Sequence, residues 1–343
     1  MESEILKFQL LRQLINRQNL TIAESQSLAE AMLAGEISDI EMAALLTALQ
    51  TKGFVSDELI GFVNVFRQKS LRIHLKAEGL LDTCGTGGDD TATFNISTTV
   101  AFVVSACGVN VAKHGNKAAS SKCGSADVLK ALGVNIDLAP QQVEQCIEKN
   151  GIAFLFAPNF HPEFKKIAPI RNALKIRTIF NLLGPLLNPV SPDFQVIGIY
   201  DPNILEIYAE TLQNLGLKHA MVVHGSGLDE ITNTGETIIY ELENGNIFNY
   251  KIKPEDFGFK RVKIDDLRGG DVLENAEIAK NILSGKEKGP KRDIVLLNSA
   301  ACLKVSNKVL SWEKGIQMAN DAIDTGKAFE KLEKLINFKI SVS

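Results

Sequence analysis

A chain of 343 residues, 45% apolar and 23% charged, is long enough to bury at least one sizeable core and plausibly two domains. Its net charge of -4 and pI near 5.8 argue against a dominant nucleic-acid or polybasic membrane surface, while leaving room for a local basic pocket that takes a small anion. Five cysteines (Cys84, Cys107, Cys123, Cys146 and Cys302) without a CxxC pair indicate neither a zinc knuckle nor a complete disulfide framework, so the expectation is a reducing cytoplasm. The start Met1-Glu2-Ser3-Glu4 lacks signal-peptide chemistry and no apolar run is long enough to span a bilayer.

The first seventy residues read as helices. Ile5, Leu6, Phe8, Leu10, Leu11, Leu14 and Ile15 form a helical stripe. Thr21 before Glu24 and Ser38 before Glu41 have the spacing of capping boxes, in which a hydroxyl and a carboxylate each satisfy a backbone N–H at a helix start. Gly53 suits the end of a helix through Met42–Gln50. Ser56, Asp57 and Glu58 suit the start of the next, with the acids facing the positive end of its dipole.

Beyond Arg72 short apolar runs alternate with helical stretches, which predicts a mostly parallel sheet with crossover helices. The expected strands are Leu80-Leu81, Val109–Ala112, Ile152–Phe156, Val196–Ile199 and Ala220–Val223. The expected helices are Ser97–Cys107, Ser125–Leu132, Gln141–Lys149 opened by Pro140, and Ile204–Leu215. Thr237–Leu242 and Ile247–Lys253 flank Asn244-Gly245, a hairpin signal because both positions tolerate positive φ. Helices are expected from Asn275 onward, and Ser284–Gly289 reads as a surface loop. The fold class is therefore α/β with a small all-helical N-terminal domain over residues 1–72. Residues 167–187, which carry extra helical signal, pack back onto it, and 73–166 with 188–343 form the larger α/β domain around the mostly parallel central sheet.

Three loops at strand ends concentrate chemistry. Asp82-Thr83-Cys84-Gly85-Thr86-Gly87-Gly88-Asp89, followed by Thr93-Phe94-Asn95-Ile96-Ser97-Thr98 at a helix start, offers backbone N–H groups without intervening Cβ atoms plus the helix dipole, a geometry that fits a diphosphate. Its bland counterpart is a tight turn between strand and helix. Lys113-His114-Gly115-Asn116-Lys117 and Ser120-Ser121-Lys122-Cys123-Gly124-Ser125-Ala126-Asp127 collect cations and hydroxyls at the carboxyl edge of the sheet, where α/β folds bind ligands. Here Ser125 or Asp127 could equally serve only as a helix cap. His224-Gly225-Ser226-Gly227-Leu228-Asp229-Glu230 supplies two adjacent carboxylates, hard oxygen donors suited to magnesium bridging to phosphates, although a solvated acidic pair is the commoner meaning. Three such loops coincide by chance far less often than one.

Taken in order, GTGGD, FNIST, KHGN, SSxxGSAD, Phe180-Asn181-Leu182-Leu183-Gly184-Pro185-Leu186-Leu187-Asn188-Pro189 and HGxGxDE closely resemble the anthranilate phosphoribosyltransferase family. The resemblance implies transfer of the phosphoribosyl group of 5-phosphoribosyl-1-diphosphate (PRPP) to the amino group of anthranilate, with Mg2+, two ions, in tryptophan biosynthesis. It implies a homodimer formed through the helical domains and a cleft between the two domains. Matched positions put Gly85, Gly88, Asp89, Thr93, Asn95, Ser97, Thr98, Lys113, Ser121 and Ser125 at the PRPP site. Gly85, Asn116 and Arg171 fall at the anthranilate site, and Ser97, Asp229 and Glu230 at the metal. A guanidinium at Arg171 suits a carboxylate with paired donors. Departures are Asp90-Thr91-Ala92, in place of a small Gly-rich stretch, and Leu187, where Thr is common. The aromatic amine is neutral near pH 7 and needs no base before attack, so no general base is assigned; for His114, shaping its loop is the better reading. A nucleoside phosphorylase of similar fold is disfavoured by Lys113–Lys117 and by Asp229-Glu230. A non-catalytic nucleic-acid binder is disfavoured by the acidic balance.

Overall fold

Local chemistry starts and stops the four N-terminal helices, α1 (Glu2–Ile15), α2 (Ile22–Ala34), α3 (Asp39–Lys52) and α4 (Ser56–Lys69), in the computed structural model, which describes residues 2–73, 75, 77–89, 91–118 and 123–339. Both capping boxes are formed. The Thr21 amide donates to Glu24 Oε2 at 2.8 Å and the Ser38 amide to Glu41 Oε2 at 2.9 Å, while each hydroxyl accepts from the amide three residues on. Such a cap stabilises a helix by about 1 kcal/mol. Asp57 and Glu58 lie in the first turn of α4, as expected, and Glu58 is in addition fully buried. Its carboxylate takes Lys52 Nζ at 2.9 Å and accepts the amides of Leu20 at 3.0 Å and Val55 at 3.2 Å, so one ion pair ties three helix ends together.

Seven strands follow: β1 (Leu80–Asp82), β2 (Asn110–Gly115), β3 (Ile152–Phe156), β4 (Phe194–Gly198), β5 (His219–Gly225), β6 (Thr237–Glu243) and β7 (Asn246–Ile252). They lie in the order β3-β2-β1-β4-β5-β6-β7, with the first five parallel and the last two antiparallel. β6 and β7 are joined by Asn244 (φ 50°) and Gly245 (φ 76°), as the turn pair requires. Helices α5 (Ile96–Ala106), α6 (Ser125–Ala131) and α7 (Pro140–Asn150) connect the first three strands, and a helix at Leu205–Asn214 connects β4 to β5. The chain runs outward from β1 through β2 to β3 and then returns to β4 on the other side. The gap between the carboxyl ends of β1 and β4 is thus a topological switch point, where ligands of open parallel sheets bind.

One apolar core joins one sheet face to α5, α7 and the C-terminal helices (Val272–Leu283, Pro290–Val305, Trp312–Asp324 and Lys327–Ile336). The other is continuous from the helical bundle through Ile167, Ile170, Ile179, Phe180 and Leu182 to Ile197, Tyr208 and Val222, so it includes β4, β5 and the helix at Leu205–Asn214. Phe180 is its pivot, with ring centroids 5.9 Å from Phe62, 5.6 Å from Phe66 and 5.8 Å from Phe164 in edge-on contacts. The returning segment is thereby fixed between bundle and sheet. Among the described residues no helix is long and apolar enough to cross a membrane.

Candidate functional site

The glycine-rich loop leaves β1 at Asp82, a fully buried carboxylate that organises its surroundings. Asp82 Oδ1 accepts the amides of Cys84 and His114, both at 3.1 Å, and Oδ2 accepts Asn188 Nδ2 at 2.8 Å. Burial pushes its pKa up to about 6, opposed by the Lys113 charge and these donors. The ends of β1 and β2 and the Asn188 turn are therefore locked together beneath the loop.

Above that base the loop is held at successive points. The Thr86 amide and hydroxyl both reach Gly198 O, at 2.9 and 3.1 Å, and the Gly87 amide donates to Asp229 Oδ2 at 2.7 Å. Gly87 (φ 66°) and Gly88 (φ 80°) occupy the left-handed region, the reason for glycine at both. Gly198 is glycine for want of space: a Cβ there would lie 1.5 Å from the Asp229 carbonyl oxygen. These contacts bring the first and third loops of the sequence together. The second joins them through Lys113, a buried lysine whose ammonium lies 3.1 Å from Thr83 Oγ1, 3.3 Å from Thr83 O and 3.2 Å from Ser97 Oγ. All three of its donors end on protein oxygens, so it sets Ser97 from below.

The acidic side is crowded. The Ser97 amide donates to Glu230 Oε1 at 3.2 Å. Burial, then the charge and hydrogen bond of Asp89, raise the Asp229 pKa to about 7. Burial, then Asp229, raise Glu230 well above its ordinary value although the Lys113 charge opposes this. Three acids sharing a pocket with one buried ammonium form a hard-oxygen donor set in excess of its cations, which fits a divalent ion.

The other expected ligands are distributed around this centre. Asn95 stands at the start of α5 with its Nδ2 on Cys123 O at 3.3 Å and its buried Oδ1 without a partner among the described residues. Thr98 is buried in the first turn of α5, and Thr93 pairs with Arg268 in an isolated antiparallel bridge. Ser125 Oγ donates to Asn116 O at 3.2 Å and the Ala126 amide to the same oxygen, so the Asn116 turn is seated on the start of α6. Asp127 accepts the amides of Ala118 and Gly124 and is a structural cap. Ser121 lies outside the described residues, as does Asp90 of the departing stretch. Arg171 projects from a helix at Phe164–Leu174, half-buried with its guanidinium carbon 5.8 Å from the Phe180 ring centroid. Burial lowers its pKa, and among the described residues no carboxylate forms an ion pair with it. That leaves a cation able to receive an anionic ligand.

Two histidines have structural duties. His114 is buried, its Nδ1 3.0 Å from Gly184 O and its ring edge-on to His161, and burial, then His161, lowers its pKa to about 3. A ring that stays neutral and walled in shapes its loop, as expected. His224 Nδ1 lies 2.8 Å from Ile199 O and its Nε2 accepts the Gly227 amide at 3.2 Å, which folds the third loop.

Sequence reasoning missed three contributors. Gly198 is one. Another is Arg177, which donates to Gly88 O and stacks on Tyr200, its guanidinium carbon 4.1 Å from the ring centroid; its signal was a basic residue just before Phe180-Asn181. The third is Leu267–Gly270, whose Leu267 O accepts the Phe94 amide at 3.1 Å and whose Gly269 amide donates to Ala92 O at 3.0 Å, bracing the approach to α5. Its signal was the Gly269-Gly270 pair before Asp271, which caps the next helix. A separate group, His219, Glu241 and Glu243, gathers at the opposite end of the sheet. Glu241 is already partnered there by His219 at 2.9 Å, Lys304 at 2.7 Å and Tyr250 at 2.7 Å.

Comparison with known proteins gives two family matches. Residues 8–70 match the helical bundle domain, and residues 77–329 the a/b domain, of a glycosyl transferase family. The anthranilate phosphoribosyltransferase of Symbiobacterium thermophilum is 47% identical over 330 residues, covering 96% of each chain. The crystal structure of anthranilate phosphoribosyltransferase from Thermus thermophilus is 40% identical, with a TM-score of 0.90 over 95% of this chain and 98% of that one. The Saccharomyces cerevisiae enzyme in complex with PRPP and Mg is 27% identical, with a TM-score of 0.90 over 97% and 98% of the two chains.

Proposed function

Since the chain belongs to the anthranilate phosphoribosyltransferase family, we infer that it is a pentosyltransferase that moves the phosphoribosyl group of PRPP onto the amino group of anthranilate, giving N-(5-phosphoribosyl)anthranilate and diphosphate in tryptophan biosynthesis. The observation that carries the reading is the convergence of three loops on one spot. Gly87 N–H meets Asp229, Ser97 N–H meets Glu230, and Lys113 spans Thr83 and Ser97.

PRPP is assigned to Gly85, Gly88, Asp89, Thr93, Asn95, Ser97, Thr98, Lys113, Ser121 and Ser125, and anthranilate to Gly85, Asn116 and Arg171. Ser97, Asp229 and Glu230 would hold magnesium, two ions in this reading. Magnesium when bound supplies charge neutralisation for the leaving diphosphate. The chain does the rest. Loop amides and the α5 N-terminus offer donors to phosphate oxygens, Arg171 fixes the carboxylate of anthranilate, and the neutral aromatic amine is held in line with ribose C1 as the C1–O bond to diphosphate breaks. Positive charge then develops on the sugar within reach of the acids. Lys113 supports this from beneath through Ser97 Oγ; no side chain is needed to take a proton before attack, and once the N–C1 bond has formed the acidic anilinium proton leaves to water or to the departing diphosphate.

We place the division of the chain at residues 1–72 with 167–187 against 73–166 with 188–343, the cleft lying between them. A homodimer is the assigned assembly. Phe8, Ile15 and Ile40, which are 55%, 64% and 84% exposed, stand on or beside the α1/α3 face, where an apolar groove includes Leu11, Ala43, Ala44 and Ala48. Cys84, Cys107, Cys146 and Cys302 form no disulfide, as suits the cytoplasm.

The test is loss of anthranilate fluorescence with PRPP and magnesium, beside nucleoside phosphorolysis and a nucleic-acid mobility shift. Turnover only in the first is expected. Silence there with activity in either of the others overturns the assignment.

A further inference from the structure

Arg177 belongs to the segment that leads into Ile179 and Phe180, both buried in the bundle-side core, and it reaches from there to the glycine-rich loop and the residue after β4. Its guanidinium lies on the Tyr200 ring at 4.1 Å and donates to the carbonyl of Gly88. Tyr200 follows β4, and its amide meets Thr86 Oγ1 at 3.4 Å, so the ring beneath the guanidinium is part of the same clamp that holds Thr86 against Gly198. Stacking fixes the plane of the cation and the hydrogen bond fixes one carbonyl.

In a trans peptide the carbonyl oxygen of one residue and the N–H of the next point in opposite directions. Drawing Gly88 O toward Arg177 therefore turns the Asp89 N–H the other way, away from the guanidinium. Gly88, at φ 80°, can hold this orientation without the strain a side chain would bring. The neighbouring Gly87 N–H is already committed to Asp229. The Gly88–Asp89 peptide is thus a unit whose direction is set from outside the loop.

We infer that Arg177 is a positioning residue for the sugar diphosphate: acting through Gly88 and braced by Tyr200, it presets the Gly88–Asp89 peptide so that its N–H serves a phosphate oxygen. This rests on the loop being the PRPP site. A role confined to PRPP distinguishes it from general support of the fold, because anthranilate is assigned to Arg171 and Asn116.

The experiment measures steady-state KM for each substrate at saturating co-substrate, together with calorimetric binding of PRPP and magnesium, for Arg177→Ala, Arg177→Lys, Tyr200→Leu and Tyr200→Phe. Arg177→Ala is expected to raise the PRPP KM and weaken PRPP binding by about tenfold, the loss of one charged hydrogen bond, with the anthranilate KM and kcat within about twofold. Arg177→Lys, which keeps the charge but not the planar stack, and Tyr200→Leu should fall between Ala and wild type; Tyr200→Phe should match wild type. An unchanged PRPP KM in Arg177→Ala, or equal rises for both substrates, overturns the inference. Should Arg177→Ala fail to fold by circular dichroism, Arg177→Lys and Tyr200→Leu decide by the same split. Asp229→Asn with Glu230→Gln is the control: if this pair binds PRPP and magnesium as wild type does, the site reading itself fails, whereas loss there with no effect at Arg177 sinks only this proposal.

Discussion

Replacing His114 by Asn should flatten the acid side of the stability profile. Asn can offer an amide donor toward Gly184 O, where the imidazole Nδ1 now stands at 3.0 Å, yet it carries no titratable ring. In the folded protein burial, then the neighbouring His161, holds the His114 pKa down to about 3, whereas the unfolded chain presents an ordinary imidazole. The sign follows from proton counts. Below the unfolded pKa the unfolded state binds a proton that the native state refuses, so stability falls as pH drops from the unfolded value toward the folded one. Lowering pH from 7 to 5 should cost the wild type roughly 2 kcal/mol through this group alone, since the loss of about 1.4 kcal/mol per pH unit sets in only below the unfolded value near 6.5. Urea unfolding followed by the fluorescence of the single tryptophan, Trp312, gives the number at both pH values. Each protein is referred to its own stability at pH 7, so the smaller side chain of the variant does not enter. Parallel losses in the two proteins would show that His114 is protonated in the fold and refute the reasoning.

Asp229→Asn with Glu230→Gln should cut magnesium-dependent turnover by roughly a hundredfold or more while raising the midpoint of thermal unfolding. The stability gain follows because both carboxyls have raised pKa values, so their ionised forms disfavour the metal-free fold near pH 7. A magnesium titration and a melting curve check the two halves. Arg171→Lys should raise the anthranilate KM by roughly tenfold to a hundredfold and leave the PRPP KM alone, as a paired charged contact is lost. Steady-state kinetics with each substrate varied would reveal an even effect, which this account does not allow. Lys175→Gly should stabilise the chain by about 1 kcal/mol, because Lys175 holds φ 52° at the end of the Phe164–Leu174 helix, and chemical melts read the change directly.

Where chemistry is local, the sequence was legible. Thr21, Ser38, Asn244 and Gly245 mark their caps and turn because the groups that decide lie within three residues of one another. Strand identity was readable from apolar runs, although β2 extends to Gly115 and β5 to Gly225, past the apolar stretch, because pairing with neighbours carries polar residues into the ladder. The burial of Glu58 was not legible for the converse reason: Lys52 reaches it from α3 and the Leu20 amide from the turn before α2. The loops that build the site stood out by residue type. Their mutual contacts did not, since Gly87 and Asp229 are 142 residues apart and Gly88 and Arg177 are 89 apart. The domain limits read from the change of hydrophobic pattern cross an apolar core that is continuous from the helical bundle into β4 and β5.

That undivided core sets how the molecule can come apart. Because Phe180 touches Phe62 and Phe66 while Ile197 and Val222 of the sheet line the same interior, a bundle excised near residue 70 would carry a bare greasy flank into water. Loss of packing deep among the first helices should reach the floor of the cleft before any ligand-contacting side chain has changed. The two halves therefore melt as partners, and a graft of this bundle onto a foreign sheet must bring residues 167–187 with it.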